Sequence, residues 1–500
     1  MAFILGVLSV FALPPFNFLP ILFLCFPFLF FLNHQAEPRQ DFKIGYAFGA
    51  GHFAFGLSWI GNALLLDPLH LGWLYPICLG AAGAFFGLFI AIPFWLANKF
   101  HSPKAQILSF AGFLGLSEWF RSFFLTGFPW NLLGYSFSFS ENIIQAASIF
   151  GSYGLTVFLI LATCAPYAYI HTPNKINRLW AIFVPFIILS SLYFYGAYRL
   201  AVHTPISASN IKVRIAQPSI PQKMKWNKQA LEENFEKYIS LSQSEGFEDI
   251  NLVVWGETAS PFPLDADFQH REKISRAVPP KGYLATGSIR YVGETWDTIT
   301  PYNSMFVINK NADIIAYYDK THLVPFGEYI PFRSILPKWI KPVTNTITDF
   351  GHGDGPQTIT IGKNLKLSAL ICYEIIFPHQ ITPKDEQADF ILNLTNDGWY
   401  GESQGPYQHF ISTKMRAVEE GITIIRAANS GISGGINQFG QTIASLPLNK
   451  RGYLDFYLPQ KSKISTPYHN FGNIIPILLS FVNIAIAFFI SLKSAEILKK

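Results

Sequence analysis

The chain has 500 residues and a formal net charge of +5; half of its residues are hydrophobic and only 14% are charged. A soluble domain carries about 25% charged residues, so this composition excludes a chain that is soluble along its whole length. No basic stripe with interleaved aromatic residues is present, so we expect no nucleic-acid partner. The charge deficit is uneven: residues 1–198 and 473–492 are apolar, whereas residues 205–470 have the composition of a globular domain.

Apolar runs in the first and last parts of the chain predict membrane-spanning helices, which need about 20 mainly apolar residues each. The sequence contains about eight such runs, at about 2–14, 16–32, 44–64, 74–97, 105–124, 149–169, 179–196 and 473–492. We interpret the first run as a short or tilted helix and not as a signal peptide, because no basic residue precedes it and no small-residue cleavage site follows. The predicted organisation is therefore an N-terminal membrane bundle of about seven spans (1–198), a globular domain (205–470) and one C-terminal span (473–492).

Basic residues in the short connecting segments predict the orientation in the membrane. They follow the second, fourth, sixth and eighth runs, at Arg39, Lys43, Lys99, Lys104, Lys175, Arg178, Lys493, Lys499 and Lys500. The opposite segments, 65–73 and 125–148, contain no Lys or Arg. Because short cytoplasmic loops carry the excess of Lys and Arg, we expect both termini in the cytoplasm and residues 205–470 outside it. In the inner membrane of a Gram-negative bacterium, that outside is the periplasm.

The region 205–470 alternates short β-rich runs with amphipathic stretches, which predicts an α/β fold. The predicted strands are Ile211–Ala216, Asn251–Trp255, Tyr283–Ile289, Ser304–Ile308, Leu367–Ile371, Phe390–Asn393, Thr423–Ala427 and Gly434–Asn437. The predicted helices include Lys228–Glu245 and Gln408–Gly421.

The chain has four cysteines, and only Cys372 lies outside the apolar runs. The other three, Cys25, Cys78 and Cys164, are typical of small buried side chains in a membrane helix. A single cysteine in the polar region cannot form an internal disulfide, so no disulfide framework is expected. Cys372 is therefore a candidate reactive thiol.

Three segments place chemically useful side chains at or near strand ends, where ligand sites gather in α/β sheets. Val253–Glu257 ends on a carboxylate, Tyr317–Glu328 contains Lys320, and Leu370–Glu374 contains Cys372. Glu257 could act as a base for the thiol, and Lys320 could favour a thiolate and stabilise an oxyanion. Taken singly, each has an ordinary interpretation: a solvated Glu, a surface Lys and a buried Cys.

The three segments in this order resemble the nitrilase, or carbon–nitrogen hydrolase, superfamily. The resemblance implies an αββα sandwich with a catalytic Glu257, Lys320 and Cys372. The order of about seven predicted spans, a globular domain and one further span narrows the resemblance to the apolipoprotein N-acyltransferase family. The strings that carry it are Thr126–Trp130, Lys320–Pro331, Cys372–Glu374, Asn393–Gly401, Gly405-Pro406, Gln408-His409, Arg416-Ala417 and Arg426–Gly431.

The same resemblance implies supporting residues around the three catalytic ones. Glu328 and Glu374 match two further family carboxylates, and Tyr373 matches an essential tyrosine beside the nucleophile. Trp226 and Asn303 match residues of the substrate pocket. For each of the five, a purely structural role stays an alternative.

The function implied by the resemblance is transfer of a fatty acyl group from a membrane phospholipid, by analogy phosphatidylethanolamine, to the α-amine of a lipoprotein's N-terminal diacylglyceryl-cysteine. A thioester on Cys372 would be the intermediate. One alternative is a membrane-tethered amidase or nitrilase that hydrolyses a small amide, although one span would suffice to anchor it. The other is a transporter with a soluble binding domain, which would require polar or broken helices at mid-membrane.

Other polar residues favour structural roles. Glu118 and Arg121 lie near the end of an apolar run, where an internal salt bridge is the commoner interpretation. Asp397-Gly398 is typical of a turn. His322, His352 and His409 have no metal-ligand spacing, so we expect neither a metal nor a cofactor.

Overall fold

A computed structural model of the chain describes residues 1–37, 39–171, 175–203, 206–295, 299–337, 341–344, 348–383, 388–461 and 465–498. Its α-helices are α1 (Ala2–Ser9), α2 (Leu22–Gln35), α3 (Asp41–Gly56), α4 (Pro68–Leu71), α5 (Tyr75–Ala97), α6 (Pro103–Arg121), α7 (Glu141–Ile144), α8 (Ala147–Thr163), α9 (Ala165–His171), α10 (Lys175–His203), α11 (Gln222–Lys225), α12 (Leu231–Ser242), α13 (Phe268–Ile274), α14 (Gly405–Glu420), α15 (Pro467–Phe471) and α16 (Ile474–Leu498). Its strands are β1 (Ala208–Gln217), β2 (Leu252–Val254), β3 (Tyr283–Val292), β4 (Thr300–Ile308), β5 (Ile314–Asp319), β6 (Thr358–Ile361), β7 (Leu365–Ile371), β8 (Phe390–Thr395), β9 (Thr423–Ala428), β10 (Ser433–Ile436), β11 (Thr442–Leu446) and β12 (Gly452–Pro459).

Contacts divide the chain into two units. The first comprises Met1–Thr204, Glu402–Gly421 and Ile464–Lys500, and the second comprises Pro205–Gly401 and Ile422–Lys463. Helix α14 therefore groups with the first unit, although its sequence lies within the range 205–470. Of the sequence predictions, the loop residues 172–174, the boundary residue 205 and the basic tail residues Lys499 and Lys500 lie outside the described residues.

The first unit contains apolar helices of membrane-spanning length. Among the described residues, four segments are long and apolar enough: Pro68–Ala97, Ala147–His171, Ala181–His203 and Ile474–Ser494. Shorter apolar segments are Ala2–Ala12 and Leu19–Gln35. The predicted run 44–64 is not one α-helix, because α3 ends at Gly56 and a 3₁₀ helix, Ser58–Leu66, follows. By length and composition, the first unit thus contains helices able to cross a membrane, and the count of eight spans stays a prediction.

Small residues let helices of this unit approach closely. A Cβ on Gly49 of α3 would lie 2.5 Å from the carbonyl oxygen of Gly87 in α5. Small residues at helix contacts are typical of membrane bundles, where packing replaces the hydrophobic effect as the driving force. A larger side chain at Gly49 would separate the two backbones.

Buried polar groups also hold the first unit together. The Glu118 carboxylate accepts hydrogen bonds from the Leu133 N–H at 2.8 Å and the Thr156 hydroxyl at 2.6 Å. Arg121 Nη1 donates to the carbonyl oxygens of Phe128 and Trp130, both at 2.7 Å. The expected Glu118–Arg121 salt bridge is wrong, because neither side chain forms an ion pair in the described part of the chain. Each satisfies backbone groups of the segment that follows α6.

Helix α14 belongs to the first unit through polar contacts from well-separated parts of the sequence. The Gln408 Oε1 atom accepts hydrogen bonds from the indole N–H groups of Trp59, at 3.2 Å, and Trp130, at 2.8 Å. About two helical turns further along α14, Arg416 forms a buried ion pair with Glu419 at 2.8 Å. The Glu419 carboxylate also accepts from the N–H and hydroxyl of Ser152, at 2.7 and 2.6 Å.

The second unit contains two six-stranded sheets, ordered β12-β1-β2-β3-β4-β5 and β11-β10-β9-β8-β7-β6. Each sheet has a parallel centre, β1-β2-β3 or β7-β8-β9, with antiparallel strands on both sides. The sheets face each other: a Cβ on Gly256, just after β2, would lie 3.2 Å from the Thr395 carbonyl oxygen at the end of β8. The carbon–nitrogen hydrolase resemblance implied this two-sheet core.

Every strand predicted from the sequence is present, and both predicted helices appear as α12 and α14. The strands missed are β5, β6, β11 and β12. They lie at or next to the sheet edges, where a strand is half exposed and lacks a continuous apolar run. β11 is the clearest case, since none of its five residues is fully buried.

Helix α12 covers one face of the first sheet through an aromatic cluster. The ring of Trp255 lies 4.9 Å from that of Tyr238 and 5.8 Å from that of Phe235, measured between centroids. The Trp255 indole N–H donates to the Ser242 hydroxyl at 2.8 Å, whereas the buried Tyr238 hydroxyl has no hydrogen-bond partner among the described residues. Trp255 follows β2 directly and lies two residues before Glu257, so this cluster supports the end of β2 close to Glu257.

Removal of the Ser242 hydroxyl and removal of the Tyr238 hydroxyl should have different effects on the free energy of unfolding. Ser242→Ala leaves the buried Trp255 N–H unsatisfied and should lower the free energy of unfolding by about 1–3 kcal/mol. The Tyr238 hydroxyl is removed from water on folding and gains no hydrogen bond in return. Tyr238→Phe should therefore leave the free energy of unfolding unchanged or raise it by about 1 kcal/mol. Thermal unfolding of the full-length variants tests both. A lower midpoint for Tyr238→Phe would contradict the assignment of its hydroxyl as unsatisfied.

Candidate active site

Three strands of the second unit deliver the predicted Glu, Lys and Cys to one buried place. Glu257 follows β2, Lys320 follows β5 and Cys372 follows β7. Their exposed fractions are 6%, 1% and 6%. β2 and β5 belong to the first sheet and β7 to the second, so the site forms only when the two sheets pack together.

The Lys320 amine is held between two carboxylates. Its Nζ atom donates to Glu328 Oε1 at 2.8 Å and lies 3.6 Å from Glu257 Oε1. Burial lowers the pKa of Lys320, but the negative charges of Glu328 and then Glu257 outweigh burial, and the net shift is upward. Lys320 is therefore a permanent cation at this site and cannot serve as a general base at neutral pH.

The two carboxylates beside Lys320 differ in how their oxygens are used. Glu328 accepts from Lys320 and Asn303 through Oε1, and from the Val324 N–H through Oε2 at 2.8 Å. Glu257 accepts from Asn303 Nδ2 through Oε1 at 2.8 Å, and its Oε2 has no hydrogen-bond partner among the described residues. Glu257 is thus the carboxylate with an oxygen open to accept a proton, and Glu328 is engaged in positioning Lys320.

Cys372 lies at the turn that ends β7. Its backbone has φ +56°, a left-handed conformation that costs a non-glycine residue about 1–3 kcal/mol and is found at functional turns. Its Sγ lies 3.9 Å from the Tyr400 hydroxyl. Burial and then the charge of Glu257 raise the pKa of the Cys372 thiol to about 12, although Lys320 opposes the shift. The resting sulfur is therefore a thiol, which needs a base at the moment of attack.

Glu374 joins the strand end carrying Lys320 to the strand end carrying Cys372. One oxygen, Oε1, accepts from the Thr321 N–H at 2.6 Å and the His322 N–H at 2.9 Å, both just after β5. The other, Oε2, accepts from the Ile371 N–H in β7 at 2.7 Å, and the Tyr318 hydroxyl lies 3.1 Å from both oxygens. Burial raises the pKa of Glu374 although these donors oppose it. With both oxygens occupied, Glu374 fits a positioning role.

The structure brings Tyr373 beside Lys320 but leaves Trp226 apart from the cluster. The Tyr373 hydroxyl donates to the Leu323 carbonyl at 2.7 Å, and the Lys320 amine lies 5.7 Å from the centre of its ring. Trp226 is 44% exposed, and within the described residues no hydrogen bond or ring contact links it to the triad. Its exposed indole is available to a substrate.

Comparison with known proteins places the whole chain in one family. Residues 5–165 match the apolipoprotein N-acyltransferase N-terminal domain, and residues 212–454 match the carbon–nitrogen hydrolase domain. An apolipoprotein N-acyltransferase of Rickettsia prowazekii (strain Madrid E) is 36% identical over 491 residues, covering 98% of this chain and 97% of that protein. The chain belongs to the apolipoprotein N-acyltransferase family. The resemblance stated from the sequence motifs is confirmed.

Other relatives agree with this assignment. The apolipoprotein N-acyltransferase of Rhodopseudomonas palustris (strain ATCC BAA-98 / CGA009) is 36% identical over 475 residues, 92% of this chain and 89% of that protein. Among solved structures, an amidase from Nesterenkonia sp. has 17% identity and a TM-score of 0.37, covering 51% of this chain and 94% of the amidase.

Sequence reasoning about this family member missed a second buried lysine. Lys225 ends α11, is only 6% exposed, and donates from Nζ to the Glu257 carbonyl oxygen at 2.9 Å and the Thr258 hydroxyl at 2.6 Å. Burial lowers the pKa of Lys225 to about 8, although Glu257 and Cys372 oppose the shift. In the sequence, the only feature that indicated a role for Lys225 was its position next to Trp226.

Asp397 contributes more than the turn that the sequence predicts for it. Although it starts a 3₁₀ turn, Asp397–Tyr400, its carboxylate forms a fully buried ion pair with Arg426 at 2.8 Å. Arg426 also donates to Asn393 Oδ1 at 2.8 Å, and Asn393 Nδ2 donates to the Cys372 carbonyl at 3.1 Å. The pair thus supports the backbone of Cys372 from β8 and β9.

No metal site accompanies the cluster in the described part of the chain, where no group of three or more His, Cys, Asp or Glu could hold a metal ion. His322 stacks on Phe377, with ring centroids 4.2 Å apart, and burial lowers its pKa. The side chains gathered at this place are a carboxylate, an ammonium and a thiol, from Glu257, Lys320 and Cys372.

The unequal hydrogen bonding of Glu257 and Glu374 predicts that their amide variants fail differently. Glu374→Gln places an NH₂ group against several N–H donors, so activity should fall and the free energy of unfolding should drop by about 1–3 kcal/mol, which lowers the thermal midpoint. Glu257→Gln removes the open carboxylate oxygen and the negative charge 3.6 Å from Lys320, while the closer ion pair of Lys320 with Glu328 remains. A positioned base contributes about 10²–10⁴-fold, so activity should be lost, whereas the midpoint should fall less than for Glu374→Gln. Equal destabilisation by both changes would refute this division of roles.

Proposed function

We propose that this protein transfers a fatty acyl group from a membrane phospholipid to the α-amine of the N-terminal diacylglyceryl-cysteine of lipoproteins, through a thioester on Cys372. The main support is membership of the apolipoprotein N-acyltransferase family over nearly the whole chain, membrane region included. The buried Glu257, Lys320 and Cys372 supply the groups that such a reaction needs.

In the first half-reaction, Glu257 takes the Cys372 proton through its open oxygen as sulfur attacks the ester carbonyl. The Lys320 ammonium, with backbone N–H groups after Cys372, stabilises the oxyanion. When the tetrahedral intermediate collapses, the carbon–oxygen bond breaks and Glu257 returns its proton to the departing alkoxide. The products are a lysophospholipid and an acyl thioester.

In the second half-reaction, the lipoprotein amine attacks the thioester carbonyl. Glu257 again accepts a proton, the carbon–sulfur bond breaks, and the proton passes to sulfur to restore the thiol. The product is an amide on the lipoprotein. Lys320 faces an oxyanion in both halves, and Glu328 and Asn303 keep its ammonium in place. Glu374 and Tyr373 hold the strand ends together.

The finer parts of the proposal concern donor, topology and pocket. Phosphatidylethanolamine is the proposed donor, with Trp226 as a pocket residue. We also propose the organisation 1–198, 205–470 and 473–492, with eight spans, a periplasmic catalytic domain and cytoplasmic termini in a Gram-negative inner membrane. Both substrates carry acyl chains. Membrane anchoring lets those chains stay in the bilayer, since exposing each CH₂ costs about 0.8 kcal/mol.

The thioester gives a direct test. Incubating the full-length protein with phosphatidylethanolamine alone should add one acyl group to Cys372, measured by intact mass and peptide mapping. Cys372→Ala should give no adduct and no turnover, and Cys372→Ser should lose nearly all turnover. Cys25→Ala, far from the polar region in sequence, is the matched control and should keep the adduct. Wild-type turnover by Cys372→Ala would exclude the mechanism.

The lifetime of that adduct separates acyl transfer from hydrolysis. A transferase must protect its thioester from water until the amine arrives, so the adduct should persist in buffer and discharge when a diacylated lipopeptide is added. An amidase would clear it with water. Decay in plain buffer as fast as with lipopeptide would favour the amidase alternative.

The orientation proposal is tested by cysteine accessibility. Single cysteines introduced in a background lacking the native ones should react with an impermeant reagent from the periplasm at positions within 205–470. Those in 33–43, 98–104, 171–178 and 493–500 should react only after the membrane is opened. The physical reason is the excess of Lys and Arg in the latter segments. Periplasmic labelling near Arg178 would overturn this topology.

A further inference from the structure

The turn that carries Glu257 is held in an unfavourable backbone conformation. Thr258, the next residue, has φ +42°, which is rare for a β-branched side chain and costs about 1–3 kcal/mol. The backbone of this turn also packs closely against Gly287. A Cβ on Gly287 would lie 2.3 Å from the Thr258 nitrogen and 2.9 Å from the Glu257 Cα. Such a conformation persists only where the surroundings impose it.

Lys225 is the side chain that binds this turn. Its ammonium donates to the carbonyl of Glu257 and to the hydroxyl of Thr258, so it fixes the residue that carries the base and the strained residue after it. Both acceptors are neutral, and within the described residues no carboxylate lies within ion-pair distance of Nζ. Burying an ammonium against neutral acceptors is costly. The arrangement therefore does not amount to a stabilising salt bridge.

We propose that Lys225 is a positioning residue for acyl transfer: it locks the Glu257–Thr258 turn so that the open Glu257 oxygen faces the proton to be removed. This inference rests on the proposed role of Glu257. Loss of the link would let the turn relax and move the carboxylate. A displacement of about 1 Å at a reacting group can cost about 100-fold in rate.

The test measures the single-turnover rate of thioester formation on Cys372 in the full-length protein with phosphatidylethanolamine vesicles. Lys225→Met and Thr258→Val each remove one partner of the link and should slow that step about 10- to 100-fold. The phospholipid concentration giving half-maximal rate should not change. Thr258→Ser keeps the hydroxyl and should recover most of the rate. Lys223→Met, an exposed lysine in the same helix, is the matched control.

The double variant Lys225→Met/Thr258→Val should be no slower than Lys225→Met, because the one contact that Thr258→Val removes is already lost when Lys225 is replaced. If Lys225→Met fails to fold, as judged from its thermal midpoint, the Thr258→Val and Thr258→Ser pair decides. Rates within twofold of wild type for Lys225→Met or Thr258→Val would overturn the inference, as would a slowed rate caused only by weaker phospholipid binding. If the wild-type adduct lies on a residue other than Cys372, the proposed function itself fails, which is a separate result.

Discussion

The carboxylate of Glu374 is the link on which the active site depends. It accepts hydrogen bonds from the segment after β5 in one sheet and from the last residue of β7 in the other. These strand ends carry Lys320 and Cys372, so a single buried side chain fixes the ammonium relative to the thiol across the sheet interface. Hydrogen bonds to a charged acceptor are about twice as strong as neutral ones. The strained backbone of Cys372 can therefore be held without help from substrate.

The two carboxylates beside Lys320, Glu328 and Glu257, differ in their hydrogen bonds and therefore in their roles. Glu328 neutralises Lys320 and has both oxygens occupied, which leaves Glu257 as the carboxylate with a vacant oxygen. Burial raises the pKa of the Cys372 thiol most, and the negative charge of Glu257 raises it further, because two nearby anions would repel each other. A neutral thiol in a buried site resists oxidation and adventitious alkylation, since the thiolate is the reactive form. In the proposed mechanism, proton transfer from Cys372 is therefore coupled to the arrival of an ester.

The sequence predicted what depends on local patterns. The central strands of the α/β region follow from short apolar runs, and its two main helices follow from amphipathic stretches. Glu257, Lys320 and Cys372 were grouped by the family resemblance, since β5, the strand before Lys320, was not predicted. Lys225 and Arg426 could not be predicted as parts of the site, because an isolated Lys or Arg is normally exposed, and only the packed sheets show these two buried. The grouping of α14 with the first unit could not be predicted either. Gln408 accepts hydrogen bonds from Trp59 and Trp130, which are hundreds of residues away in the sequence, and no local pattern indicates these contacts.

In the proposed mechanism, one base, Glu257, serves two chemically different half-reactions. The first half needs a proton removed from sulfur and delivered to an alkoxide, and the second needs a proton removed from an amine and delivered to sulfur. Each half returns Glu257 to its starting state, so no second base is required and Glu328 can stay committed to Lys320. The arrangement does not by itself select an amine over water, since either could lose a proton to Glu257. In this mechanism, selection of the amine must come from exclusion of water, and the near-complete burial of the three proposed catalytic side chains favours that exclusion.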